Sequence, residues 1–261
     1  MRWRWRRWAI GLAPLLVIAA VVLVLVLRDR AAGGDVAQDR PGTVLLVAGY
    51  GGSTTALQGL QARLRASGRR VEIVPPVGDN TGDLRAQARQ LDAVARRAVA
   101  AGAPSVDVVG YSAGGVVARI WVAELGGDGL ARRVVTLGSP HHGTQVAGLA
   151  AGLAPASCPL ACRELAPGSP VLRGLPEAPA GPRWTSIWTN GDETVLPPDS
   201  ARLAGAVTVQ LQQVCADARV THGGLPGDPL VTGLVRLALG VDPLDDVPAP
   251  ARCPQLRASG T

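Results

Sequence analysis

Gly110-Tyr111-Ser112-Ala113-Gly114 is the stretch of this chain best placed to do covalent chemistry. A serine hydroxyl is a weak nucleophile until a nearby imidazole takes its proton and a carboxylate orients that imidazole. Glycines two residues to either side let the serine occupy a sharp turn that side chains there would block. A helix beginning behind it aims backbone N–H groups at developing negative charge. The rest of the chain offers little competing chemistry, having no lysine, three histidines and two tyrosines.

The base and its carboxylate must come from other loops at the same rim. In open α/β sheets, ligands bind beyond the carboxyl ends of the strands. Asp192 follows the run WTSIWT (184–189), and His222 follows AVTVQL (206–211) after a longer connection. The order Ser112, Asp192, His222 is the one that a G-x-S-x-G serine uses in a strand–turn–helix setting. Glu193 and Asp199 are the alternative acids. His141 and His142, in GSPHHGT, compete for the role of base, but the chain order favours His222. The pair is expected instead in a loop held by imidazole–backbone hydrogen bonds. An oxyanion would need two backbone N–H groups, one from the residue after the nucleophile, Ala113, and one from the loop after the first strand, where Tyr50 is the candidate.

Positioning these groups requires a particular scaffold. Runs at 43–48, 70–75, 105–111, 132–140, 184–189 and 206–211 read as strands, most of them continuously apolar. Between them, 54–68, 81–102, 113–127 and 229–239 repeat apolar residues at helical spacing, with Gly68 and Gly102 as stops. Alternation of this kind predicts an α/β fold, a mostly parallel sheet of about six strands with helices on both faces. A Pro/Ala/Gly-rich stretch, 145–182, interrupts the rhythm and is expected to be either a lid or lipid-facing flap, or a plain surface loop.

Residues 9–27 hold no charge, and as a helix they would span about 28 Å, close to a hydrocarbon core of about 30 Å. Four arginines and three tryptophans precede them. A cytoplasmic stub and signal-anchor are therefore expected over 1–30, with a linker at 31–41 and one catalytic domain over 42–261 outside the cell membrane. A cleaved signal peptide is the rival reading, and it exports the domain equally. Residues 1–30 also hold +5 of the formal +6 charge, so the folded part lacks the basic surface of a nucleic-acid binder. Four cysteines in an exported chain suggest two disulfides. Proximity in sequence favours Cys158–Cys162 and Cys215–Cys253 among three pairings. Their spacing and the few histidines argue against a metal site, and no cofactor is expected.

The segments VLLVAGYGG, VVGYSAGGVVAR, VVTLGSPHHGT, SIWTNGDETVLPPDSARLAGA and THGGL together resemble the bacterial extracellular triacylglycerol lipases of the α/β-hydrolase fold. The resemblance covers most of residues 43–239. It implies carboxylic ester hydrolysis through an acyl-enzyme, with Ser112, Asp192 and His222 as the triad, Tyr50 and Ala113 as the oxyanion hole, and a lipid or ester substrate. It departs from that family at Ala48-Gly49, where His-Gly is usual, and the membrane segment is not part of it. An acyltransferase or thioesterase acting on envelope lipids would use the same triad. A non-catalytic envelope binding protein would have no need of it.

Overall fold

The computed structural model describes residues 36–242 and 244–261. The expected membrane segment at 9–27 and the first part of the linker, 31–35, lie outside them. Among the described residues no helix is long and apolar enough to cross a membrane.

Six strands form one sheet: β1 (Thr43–Val47), β2 (Val71–Ile73), β3 (Val106–Tyr111), β4 (Ala131–Leu137), β5 (Arg183–Trp188) and β6 (Val207–Gln210). Their order is β2-β1-β3-β4-β5-β6, and every neighbouring pair is parallel. The chain therefore steps outward from β1 to β2, then returns past β1 to continue the other way. That reversal places a topological switch point between β1 and β3, where a crevice opens at the carboxyl ends of the strands.

The long helices are those that the apolar spacing predicts. They are α1 (Thr55–Ala66), α2 (Leu84–Ala100), α3 (Ala113–Glu124) and, after the sixth strand, α8 (Pro229–Ala238). The α2 N-terminus is capped by Asp83, whose carboxylate accepts the Arg85 N–H at 2.8 Å. Gly68 and Gly102 turn the chain out of α1 and α2 at φ of +83° and +94°.

Strand side chains alternate between two apolar layers. Leu45, Val47, Val106, Val108 and Val134 pack against α2 and α3, through Leu84, Leu91, Val116 and Trp121. Val44, Leu46, Val109, Val135 and Leu137 pack against α1 and α8, through Leu57, Leu60, Leu64, Leu230 and Leu234. A sheet covered on both faces is what continuously apolar strands require.

The 145–182 stretch is more ordered than a loop. It forms α4 (Gln145–Leu153), α5 (Leu160–Glu164) and α6 (Pro170–Gly174). Ala161, Leu165, Val171 and Leu172 are buried in the same layer as α2 and α3. Glu164 accepts the Leu84 N–H at 2.9 Å, so this stretch helps cap α2. The outward side of α4 is different, because Val146, Leu149 and Leu153 stand exposed there. Two further short helices, α7 (Leu211–Val214) and α9 (Cys253–Ser259), are joined by Cys215–Cys253. The other bridge is Cys158–Cys162, so both pairings are those favoured by proximity.

Candidate active site

β3 delivers Ser112 at the centre of the rim. Its φ of +53° and ψ of −126° lie in a region that residues with a Cβ seldom occupy. The turn holds because its neighbours are glycines. A Cβ on Gly110 would lie 2.6 Å from the Gly114 carbonyl, and one on Gly114 would lie 2.4 Å from the Val47 carbonyl oxygen. The Ser112 N–H donates to Leu137 O at 2.8 Å, which ties the turn to β4. Ala113 is the first residue of α3, so its N–H is among those a helix leaves without an internal partner.

Asp192 and His222 arrive from the loops beyond β5 and β6. His222 Nε2 lies 3.0 Å from Ser112 Oγ, and His222 Nδ1 lies 2.7 Å from Asp192 Oδ2. Both the aspartate and the imidazole are buried. The other carboxylate oxygen, Oδ1, accepts the N–H groups of Thr194 at 2.9 Å and Val195 at 2.7 Å. With Oδ2 facing Nδ1, the assigned tautomer carries its proton on Nδ1 and turns an unprotonated Nε2 toward the serine hydroxyl.

The competing candidates sit elsewhere. Glu193 accepts the backbone N–H of His222, not a ring nitrogen. Asp199 is exposed, on the short turn Pro198–Ala201. His141 is buried, with Nε2 3.1 Å from Thr136 Oγ1, and its carbonyl accepts from the buried Arg119 at 2.9 Å. Burial, helped by the positive charge of Arg119 and by His142, pushes the His141 imidazole well below its ordinary pKa. His142 hydrogen-bonds the Ser200 carbonyl and Glu177. Of the pair, only His142 makes the expected imidazole–backbone hydrogen bond; the His141 ring reaches the Thr136 side chain instead.

One contributor escaped the sequence reading. Gly138, just past β4 at φ +53°, lies under the Asp192–His222 contact. A Cβ there would fall 3.0 Å from Asp192 Oδ2 and 3.2 Å from His222 Nδ1. Its only sequence signal is the place of LGSP at a strand end.

The loop after β1 closes over the serine, since a Cβ on Gly49 would come within 2.9 Å of Ser112 Cβ. Tyr50 follows, and with Ser112 it lines a cavity of about 270 Å³. Val146, Ala147, Ala150, Leu165 and Val195 make most of the remaining wall apolar. Tyr111 stands behind His222, with ring centroids 5.2 Å apart. Burial, with the charges of Asp192 and Glu193, pushes its phenol up to about 12, so it stays a neutral donor. Among the described residues no cluster of His, Cys, Asp and Glu could hold a metal ion.

A parallel sheet of this order, with a serine on a strained elbow after β3 and helices on both faces, defines the α/β-hydrolase fold. Solved structures agree. The chain is similar to Aspergillus fumigatus lipase B, with TM-score 0.66 and 19% identity, over 84% of this chain and 56% of that one. It is similar to Bacillus licheniformis lipase BlEst2 in its propeptide form, with TM-score 0.60 and 20% identity, over 72% of this chain and 47% of that one. Against the mature form of that lipase the values are 0.58 and 18%, over 71% and 86%. The chain thus spans about half the length of the first two. No protein-family model matches it, and no curated protein matches it.

Proposed function

We propose that this protein hydrolyses carboxylic esters of lipid type through an acyl-enzyme on Ser112. The observation that carries this reading is the hydrogen-bonded chain from Ser112 Oγ through the His222 imidazole to Asp192 Oδ2, at 3.0 and 2.7 Å. His222 Nε2 takes the hydroxyl proton as Ser112 Oγ attacks the ester carbonyl, and Asp192 stabilises the imidazolium that forms. The N–H groups of Ala113 and Tyr50 receive the developing oxyanion. The imidazolium then gives its proton to the departing alcohol. A water, deprotonated by the same nitrogen, releases the acid and restores the serine.

The apolar wall of the cavity suits an acyl chain. Of the 145–182 stretch, α4 alone is the part assigned to a lipid surface, because its exposed stripe of Val146, Leu149 and Leu153 continues from the cavity mouth. The paired cysteines support action outside the cytoplasm; the proposed N-terminal anchor rests on the uncharged run 9–27 alone.

Covalent labelling by a fluorophosphonate tests the assignment. The wild-type protein is expected to take one label and lose esterase activity, whereas Ser112→Ala is expected to take no label and to lack esterase activity from the start. Wild-type esterase activity in Ser112→Ala would end the proposal.

A further inference from the structure

We infer that Glu193 is a positioning residue, holding the main chain of His222 so that the imidazole stays aimed at Ser112. The inference rests on the triad reading above and adds a residue to it.

The segment that carries His222 has little structure of its own. Between the end of α7 at Val214 and the turn beginning at Leu225 it forms neither helix nor strand. A catalytic imidazole on such a segment needs its backbone fixed from outside. The ring bonds to Asp192 and Ser112 hold their geometry only while the backbone carrying the ring stays in place, and reaction rates fall steeply with small misplacements.

The acid loop supplies the fixing points. Thr189 Oγ1 donates to Val220 O at 2.8 Å. Two residues on, the N–H of His222 donates to Glu193 Oε2 at 3.0 Å. Gly191 lies between them, where a Cβ would meet Val220 O at 2.7 Å, so the two loops run in close contact. On the far side the His222 carbonyl accepts the Tyr111 hydroxyl at 3.3 Å and the Leu225 N–H at 3.2 Å. Neighbouring carboxylates therefore divide the work: Asp192 holds the ring of His222, and Glu193 holds its backbone.

Exposure separates this role from a structural one. Glu193 is solvent-exposed, so its removal takes little from the core. What it removes is one fixed acceptor on a backbone N–H beside the reacting group. A glutamine keeps an acceptor oxygen at the same reach, whereas alanine keeps none.

The experiment compares Glu193→Ala, Glu193→Gln and Glu193→Asp by steady-state hydrolysis of a soluble p-nitrophenyl ester, beside wild type and Ser112→Ala. Glu193→Ala is expected to lose about 10- to 100-fold in kcat with KM unchanged, and to melt close to wild type. Glu193→Gln is expected to recover most of kcat. Glu193→Asp, one methylene short, is expected to stay impaired, and this comparison replaces the alanine variant should the latter not fold. Wild-type kcat in Glu193→Ala, wild-type kcat in Glu193→Asp, or a glutamine variant no better than aspartate would overturn the inference. Activity surviving in Ser112→Ala would instead overturn the triad reading beneath it.

Discussion

Replacing Asp192 by asparagine tests the proton logic of the site with almost no change of shape. Asp192 receives three donors on two oxygens: Thr194 N–H and Val195 N–H on Oδ1, and the His222 ring on Oδ2. An asparagine has one acceptor oxygen. If that oxygen keeps the two backbone donors, the amide NH2 faces Nδ1 and donates to it. The imidazole must then carry its own proton on Nε2, pointed at Ser112, where it cannot accept the serine proton. If the amide flips, its NH2 meets two backbone N–H groups, and each buried donor left unpaired costs about 1–3 kcal/mol. Moving a proton between the two nitrogens of a neutral imidazole is the cheaper response, so the inert tautomer dominates.

The variant also lacks the negative charge that stabilises the imidazolium. A wrong tautomer in such a triad lowers kcat by about four orders of magnitude, or about 5.4 kcal/mol of barrier at 1.36 kcal/mol per decade. Asp192 does not line the cavity, so KM should hold. The assay is initial-rate hydrolysis of p-nitrophenyl butyrate at neutral pH, on protein whose melting temperature stays within a few degrees of wild type. More than a tenth of the wild-type kcat in folded Asp192→Asn would refute the assignment of Asp192 as the carboxylate that sets the tautomer.

Two further outcomes follow from buried groups and covalent links. His141 is neutral when folded, but in the unfolded chain it takes a proton below about pH 6.5, so stability falls as pH drops through that value, by at most about 1.4 kcal/mol per unit; urea unfolding at pH 7 and 5.5 should show a shallower loss in His141→Gln, and equal losses would refute it. Loop entropy at sequence separations of 38 and 4 gives about 3.9 kcal/mol for Cys215–Cys253 and about 1.9 for Cys158–Cys162; paired serine variants compared in urea should keep that ranking, and a reversed ranking would contradict the closed-loop argument.

The residues that were legible in the sequence are those whose roles are local. A short β-branched run such as VDVVGY, followed by a glycine turn, reads as a buried strand, and the glycines around Ser112 mark a turn that few other sequences tolerate. Asp192 and His222 were legible because chain order and strand ends confine them to one rim. The helices α4, α5 and α6 were not. They are short, and isolated helices of that length are unstable, so contacts far along the chain hold them. Glu164 reaches back to Leu84, and Ala161 N–H donates to Thr81 O at 3.0 Å. Gly138 was missed for a similar reason, since its need for space is set by residues more than fifty positions away.

The register of β3, which sets how far along the rim Ser112 arrives, is held at the other end of the strand. β3 begins with Val106 and Asp107, and Asp107 is a fully buried carboxylate. Buried charge is costly unless it is paired and hydrogen-bonded, and this one is. Arg132 grips both of its oxygens, at 3.0 and 2.8 Å, and Arg69 joins from the segment before β2. The register between β3 and β4 shifts there: Val106 faces Ala131 and Asp107 faces Arg133, so Arg132 is the extra residue. A bulge of this kind turns a side chain out of the alternating pattern, here onto the carboxylate. Arg132 also donates to the carbonyls of Leu239 and Gly240 just past α8, both at 2.7 Å. A slip of one residue in β3 would leave Asp107 unpaired and would turn every side chain of the strand to the other face. Such a slip would displace Ser112 by about 3.3 Å, more than the whole hydrogen-bond distance to His222. The ionic lock at the amino end of β3 therefore fixes where the serine arrives at its carboxyl end, and it does so across a strand only six residues long.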